Sequence, residues 1–241
     1  MKNLQSLLFL FFLMLNTNLL FSQTVEILYK SNKQFALPSD DFAYIEPKAD
    51  STKFELVATI KATSKNKKDN IETLYTSILI KAKSIGANCF KLHYYTINDS
   101  TKIATLILDT YFGDDSTLNN NFTLHEKNAI FIFCNDKVKE TETFGFKVNG
   151  EKKQIKSGTF YKAIIEEGKE VKISKGGFTG MTMWYSWEKD KPCTFLTLTS
   201  FGVGAGLVPF GTVGLTFNTG RFYPINGDLG TLLTQLYKEN K

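Results

Sequence analysis

Three turn dipeptides, Asn149-Gly150, Ser157-Gly158 and Glu167-Gly168, follow one another at intervals of only eight to ten residues, and they limit what the second half of this chain can become. The segments between them are too short to make independent helices. They read as short strands instead: Thr143 to Val148, which alternates, then Lys153-Gln154-Ile155, Thr159 to Ile165 and Glu170 to Ser174. Asn-Gly is the dipeptide that best tolerates the left-handed backbone of a two-residue hairpin. Ala129-Ile130-Phe131-Ile132-Phe133-Cys134 adds a strand apolar on both faces, and Met181 to Trp187 and Cys193 to Thr199 complete the series. Short strands at short regular spacing predict an all-β sandwich over 122–241. Asp228 to Tyr237 ends it with a short helix carrying Leu229, Leu232, Leu233 and Leu236 on one side.

The preceding part, 24–113, reads differently. Val25 to Tyr29 and Phe54 to Ala62 are strand-like, the latter with Leu56, Ala58 and Ile60 on one face. Asp69 offers an N-cap with Glu72 as capping-box partner, and Ile71, Leu74, Tyr75, Ile78, Ala82 and Ile85 recur at helical spacing up to Gly86. Cys89 to Tyr95 and Ile103 to Tyr111 follow as two strands joined by a turn at Asn98-Asp99-Ser100. The expected fold class is therefore α+β: a β-α-β-β module, then a β-sandwich with a short C-terminal helix. The polar run through 114–121 is expected to be a linker, because it cannot bury enough apolar surface to order itself.

The amino terminus reads as an export signal over 1–22. Lys2 is the only charge before Glu26, Leu4 to Leu15 form the apolar stretch, and Ser22 supplies a small residue at the cleavage position. The apolar run is shorter than the roughly 20 residues a membrane span needs. No cysteine stands near the cleavage position to accept a lipid, so a lipoprotein is not expected. The expected destinations are the periplasm, the outer envelope or the extracellular space.

Certain pieces of the second module resemble known domains. Val148-Asn149-Gly150, Ser157-Gly158-Thr159-Phe160-Tyr161 and Gly168-Lys169-Glu170-Val171-Lys172-Ile173 resemble the hairpin and strand pattern of small bacterial β-sandwich domains of the PEGA type and of related lipoprotein domains of unknown function. The resemblance covers roughly 130–200 and implies an envelope module without known catalysis; it transfers no functional residues. Lys81-Ala82-Lys83-Ser84-Ile85-Gly86-Ala87-Asn88 is similar to the helix end of small bacterial α+β envelope domains of the YbjQ type.

Candidate chemistry is sparse. The two histidines, His93 and His125, belong to no HxH, HExxH or CxxC pattern, so neither a metal nor any other cofactor is expected. No G-x-S-x-G elbow occurs. The net charge of +5 rests on lysine, Arg221 being the only arginine, which argues against bidentate nucleic-acid recognition. Of the three cysteines, Cys89 reads as a buried thiol. Cys134 and Cys193 lie in one module and are the pair to bridge if a disulfide forms; three free thiols is the equal alternative.

Two segments offer interaction surfaces. Met181-Thr182-Met183-Trp184-Tyr185-Ser186-Trp187 places Trp184 on the face opposite Trp187, and an aromatic strand of this kind can bind a glycan. Ser200 to Gly220 carries no charge, and its Phe201, Val203, Leu207 and Phe210 alternate with glycines as in an apolar hairpin. It would pack as the last hairpin of the sandwich or meet an envelope protein or the membrane surface. The sequence thus reads as an exported, non-enzymatic envelope or secreted binding or structural protein. The alternative is a secreted hydrolase or a glycan binder built on Trp184 and Trp187.

Overall fold

The computed structural model describes residues 23–36, 42–65, 70–134, 143–176, 180–198 and 221–240. The export segment, Asp69 and the apolar 200–220 segment with Phe201, Val203, Leu207 and Phe210 lie outside the described residues. The chain forms two compact units, one from residues up to Phe42 with Phe54–Phe112, the other from Ala43–Lys53 with Gly113–Lys241.

The first unit runs β-β-α-β-β and not β-α-β-β, because both segments before the helix are strands of its sheet. Its strands β1 (Gln23–Lys30), β3 (Glu55–Ser64), β4 (Cys89–Ile97) and β5 (Ala104–Phe112) lie in the order β1-β3-β5-β4, each antiparallel to its neighbour. Helix α1 (Ile71–Lys83) crosses from β3 to β4 and packs on β3, β5 and β1. It buries Ile71, Leu74, Tyr75, Ile78 and Ala82, the face expected from their spacing. The cap is Asn70 rather than Asp69: the Asn70 side chain accepts from the Thr73 N–H at 2.9 Å and the Thr73 hydroxyl at 2.5 Å. Leu56 does not share a face with Ala58 and Ile60. The β3–β5 register slips between Leu56 and Ala58, which buries Val57 and leaves Leu56 at the surface. A bulge adds one residue and reverses the phase of alternation upstream of it.

The second unit contains two sheets. One is antiparallel and ordered β11 (Met181–Ser186), β10 (Glu170–Lys175), β7 (Thr143–Val148), β8 (Glu151–Lys156). The other is mixed and ordered β13 (Phe222–Pro224), β12 (Thr194–Leu198), β6 (Ala129–Cys134), β9 (Thr159–Ile164), β14 (Lys238–Glu239), with β12 parallel to β6 and β14 parallel to β9. Ile130, Ile132 and Cys134 join Phe146, Val148, Ile155, Val171, Ile173, Leu196 and Leu198 in the core shared by these sheets.

Of the three turn dipeptides only Asn149-Gly150 closes a hairpin, between β7 and β8, with φ of 50° and 88° as its mirror-image turn requires. Ser157-Gly158 instead carries the chain from one sheet to the other, and the Glu167-Gly168 turn carries it back. β6 is buried along its whole length because it has apolar partners on both sides. Phe131 and Phe133 belong to a second aromatic layer with Phe160, Phe195 and Tyr237. Helix α3 (Gly227–Leu236) packs on β12 here and buries Leu229, Leu232 and Leu233.

The expected linker is a helix. Asp114 caps α2 (Asp115–Leu124) by accepting from the Thr117 N–H at 2.8 Å, and the helix buries Thr117, Leu118 and Asn121. The strip is ordered by hydrogen bonds as much as by apolar area. The Asn121 side chain, 1% exposed, accepts from Glu46 N–H at 2.9 Å and donates to the Tyr44 carbonyl at 2.8 Å. Asp228 of α3 accepts from Tyr44 N–H at 2.9 Å. These bonds hold strand β2 (Ala43–Tyr44) and the residues after it in the second unit, which the chain enters again after Phe112.

Candidate functional site

A cleft of about 580 Å³ opens within the second unit. Phe131 of β6 and Phe195 of β12 supply its aromatic floor, their rings stacked at 5.1 Å. The end of α2 and the residues after it contribute Phe122, His125, Glu126 and Lys127; the segment after β2 contributes Glu46, Pro47 and Lys48. Helix α3 adds Gly227, Asp228, Thr231, Thr234 and Gln235, and Pro192 and Cys193 complete the lining. An apolar floor with a few convergent polar groups is the usual composition of a small-molecule site.

The floor depends on a close approach. Gly230 of α3 lies against Phe195 so tightly that a Cβ there would stand 2.2 Å from Phe195 Cγ. Asn128 shapes the neighbouring wall. Its backbone takes φ of 51°, its Nδ2 donates to the Glu188 carbonyl at 2.8 Å, and its Oδ1 accepts from Glu188 N–H at 3.2 Å. It is joined there by the bridge between Lys127 and Pro192.

His125 and Glu46 are the perturbed pair of the cleft. The Tyr44 carbonyl lies 3.2 Å from His125 Nε2, and the same carbonyl accepts from Asn121. Asn121 Nδ2 lies 3.3 Å from the same ring nitrogen, so Nε2 faces both an acceptor and a donor. Nδ1 lies 3.7 Å from Glu46 Oε1. Burial lowers the imidazole pKa from its ordinary 6.5, against the opposing effect of the Tyr44 bond and with a smaller push from Lys127. Burial also raises the Glu46 carboxyl, with repulsion from Glu126 adding to it and Lys48 partly relieving it. Opposite shifts in neighbouring groups within a cleft are a feature of functional sites. Glu126 has its own partner, Lys162, at 2.5 Å, and the Lys162 ammonium lies 5.5 Å over the Phe131 ring. Lys127 Nζ donates to the Phe122 carbonyl at 3.1 Å.

Cys193 lines this cleft as a thiol. It donates to the Glu126 carbonyl at 3.1 Å, and burial pushes it up to about 11, so it carries no thiolate at neutral pH. The Cys134–Cys193 bridge is corrected by the strand register. Thr194 pairs with Ile130 and Leu198 with Cys134, which places the two cysteines at opposite ends of adjacent parallel strands. Five residues of strand separate them by roughly 16 Å, whereas a disulfide needs Cα atoms within about 7 Å. None of the three cysteines forms a disulfide, and Cys89 is buried as expected.

The remaining sequence candidates do not come together. Trp187 packs against the sandwich core with Met181, Met183 and Tyr185, whereas Trp184 is 56% exposed with Lys172 5.4 Å over its ring. The two tryptophans therefore make no common platform. His93, in the first unit, is the bulged residue of β4; its Nδ1 lies 2.8 Å from Asp109, which also accepts from the Thr59 hydroxyl at 2.6 Å. It is exposed on the sheet surface. Among the described residues no group of three or more His, Cys, Asp or Glu side chains could hold a metal ion. No described helix is long and apolar enough to cross a membrane.

The chain matches no family model, no curated protein and no solved structure. What is defined is an α+β protein with two sheets sharing a core and a mixed aromatic and polar cleft beside α3.

Proposed function

We propose that this is an exported, non-enzymatic binding protein of the cell envelope or the extracellular space, and that the cleft of its second unit holds a small ligand. The observation that carries the binding part is the composition of that cleft. An aromatic floor meets charged and hydroxyl groups, while its one thiol is protonated at neutral pH and hydrogen-bonded to a carbonyl. Export rests on the charge, apolar run and small residue at 2–22.

The test is a thermal-shift and NMR screen with small aromatic fragments on the protein and on Thr231→Trp, whose indole would fill the cleft from the surface of α3. Fragments that raise Tm with the native cleft and lose that effect in Thr231→Trp support the reading. Fragments unaffected by the substitution contradict it.

The opposite shifts of Glu46 and His125 favour a second reading, a hydrolase that uses them for proton transfer. Turnover of ester or glycoside substrates, abolished by both Glu46→Gln and His125→Gln, would establish that reading in place of the first.

A further inference from the structure

We propose that the ligand held by this cleft is an organic cation, an ammonium or guanidinium joined to an apolar body, with Glu46 as its counter-ion. The inference rests on the binding reading above.

Of the acidic residues lining the cleft, Glu126 is ion-paired with Lys162, and Asp228 accepts from Tyr44 N–H. Glu46 is different. Its Oε1 lies 3.7 Å from His125 Nδ1, beyond hydrogen-bond distance. A cation donor entering the cleft there would be accepted by the carboxylate. Phe122, 5.5 Å from the His125 ring and partly exposed, gives a cation an aromatic face at the same spot. The stacked Phe131 and Phe195 rings take the apolar body.

Two lysines also line the cleft: Lys127 is engaged with the Phe122 carbonyl, and Lys48 is exposed to solvent, close enough to act on Glu46.

The experiment titrates the protein with three isosteric probes: phenethylammonium, 2-phenylethanol and 3-phenylpropanoate. Phenethylammonium is expected to bind at least about ten-fold more tightly than the other two, the scale of one charge-assisted hydrogen bond. Glu46→Gln should bring the three within about two-fold of one another. A capped Phe-Arg-Phe peptide against its citrulline counterpart tells whether a peptide side chain can supply the cation. A ratio near that of the small probes assigns a basic peptide, and a ratio near one assigns a free amine. Preference for the anion, or a cation preference that survives Glu46→Gln, overturns the inference while the cleft remains a binding site. If all three probes bind Thr231→Trp as well as the unmodified protein, the binding reading itself falls.

Discussion

Asn121 fastens the segment after β2 to α2 through both ends of one buried amide. Removing it would leave the Glu46 N–H without its acceptor and the Tyr44 carbonyl with one donor fewer. Asn121→Ala is expected to destabilise the protein by about 2–4 kcal/mol, read from urea denaturation, and Asn121→Asp to retain only the half of the clamp that accepts. The pair next to it gives a pH dependence. His125, held neutral by burial, contributes stability that is complete above its ordinary 6.5 and is lost as pH falls through that value toward its lowered native one. Glu46 acts in the opposite sense. With its native pKa raised above 4.5, it binds a proton more readily folded than unfolded, so deprotonation costs stability as pH rises. Lys48, Glu126, Lys127 and Asp228 are the other charged groups lining this cleft. Urea midpoints from pH 5 to 8 should therefore show a smaller acid loss in His125→Gln than in the native protein, and a higher pH 8 midpoint in Glu46→Gln. An unchanged acid slope in His125→Gln would contradict the assignment. Little of this site was legible in the sequence. Glu46, His125, Cys193 and Asp228 are remote from one another along the chain, and Leu124-His125-Glu126 carries no local pattern. The nearest signal was a lone histidine directly after a polar run.

The helices and strands were legible wherever apolar spacing alone decides burial. Ile71, Leu74, Tyr75 and Ile78 marked α1 because helical periodicity and a single apolar face coincide there. The α2 segment escaped the same reading because its buried face includes Thr117 and Asn121, whose burial is offset by hydrogen bonds that composition does not reveal. Val57 escaped for another reason: a bulge depends on the partner strand, and no feature of β3 alone announces it. The Asn149-Gly150 turn was visible, yet Ser157-Gly158 has the same local form and changes sheets, because the destination of a turn is set by the core. At this scale Gly230 gives the sharpest expectation. Gly230→Ala drives a methyl into the Phe195 ring, costs about 1–3 kcal/mol and weakens fragment binding by displacing the floor. Gly227→Ala, where a Cβ meets nothing within 4 Å, should change the urea midpoint little.

For the molecule as a whole, the α+β class was legible in the sequence, but the early passage of Ala43–Lys53 into the second unit was not. The chain visits the second unit at Ala43–Lys53 before completing the first, and a division by composition along the sequence cannot represent such a return. The cysteines follow from the same topology. Alkylation of the denatured, unreduced protein is expected to modify all three thiols, whereas the native protein should react first at partly exposed Cys193 and leave buried Cys89 and Cys134 protected. Two modified thiols fewer in the denatured protein would mean a bridge that the strand register forbids. The proposed binding surface is the cleft lined by α2, α3 and the Phe131–Phe195 floor. The most direct measurement is a ¹⁵N-labelled titration with phenethylammonium. Saturable shifts centred on the amides of Glu46, His125, Lys127 and Thr231 are expected, and in Glu46→Gln saturation should need about ten-fold more ligand. Shifts centred on Trp184 and β11, or none that saturate, would contradict it.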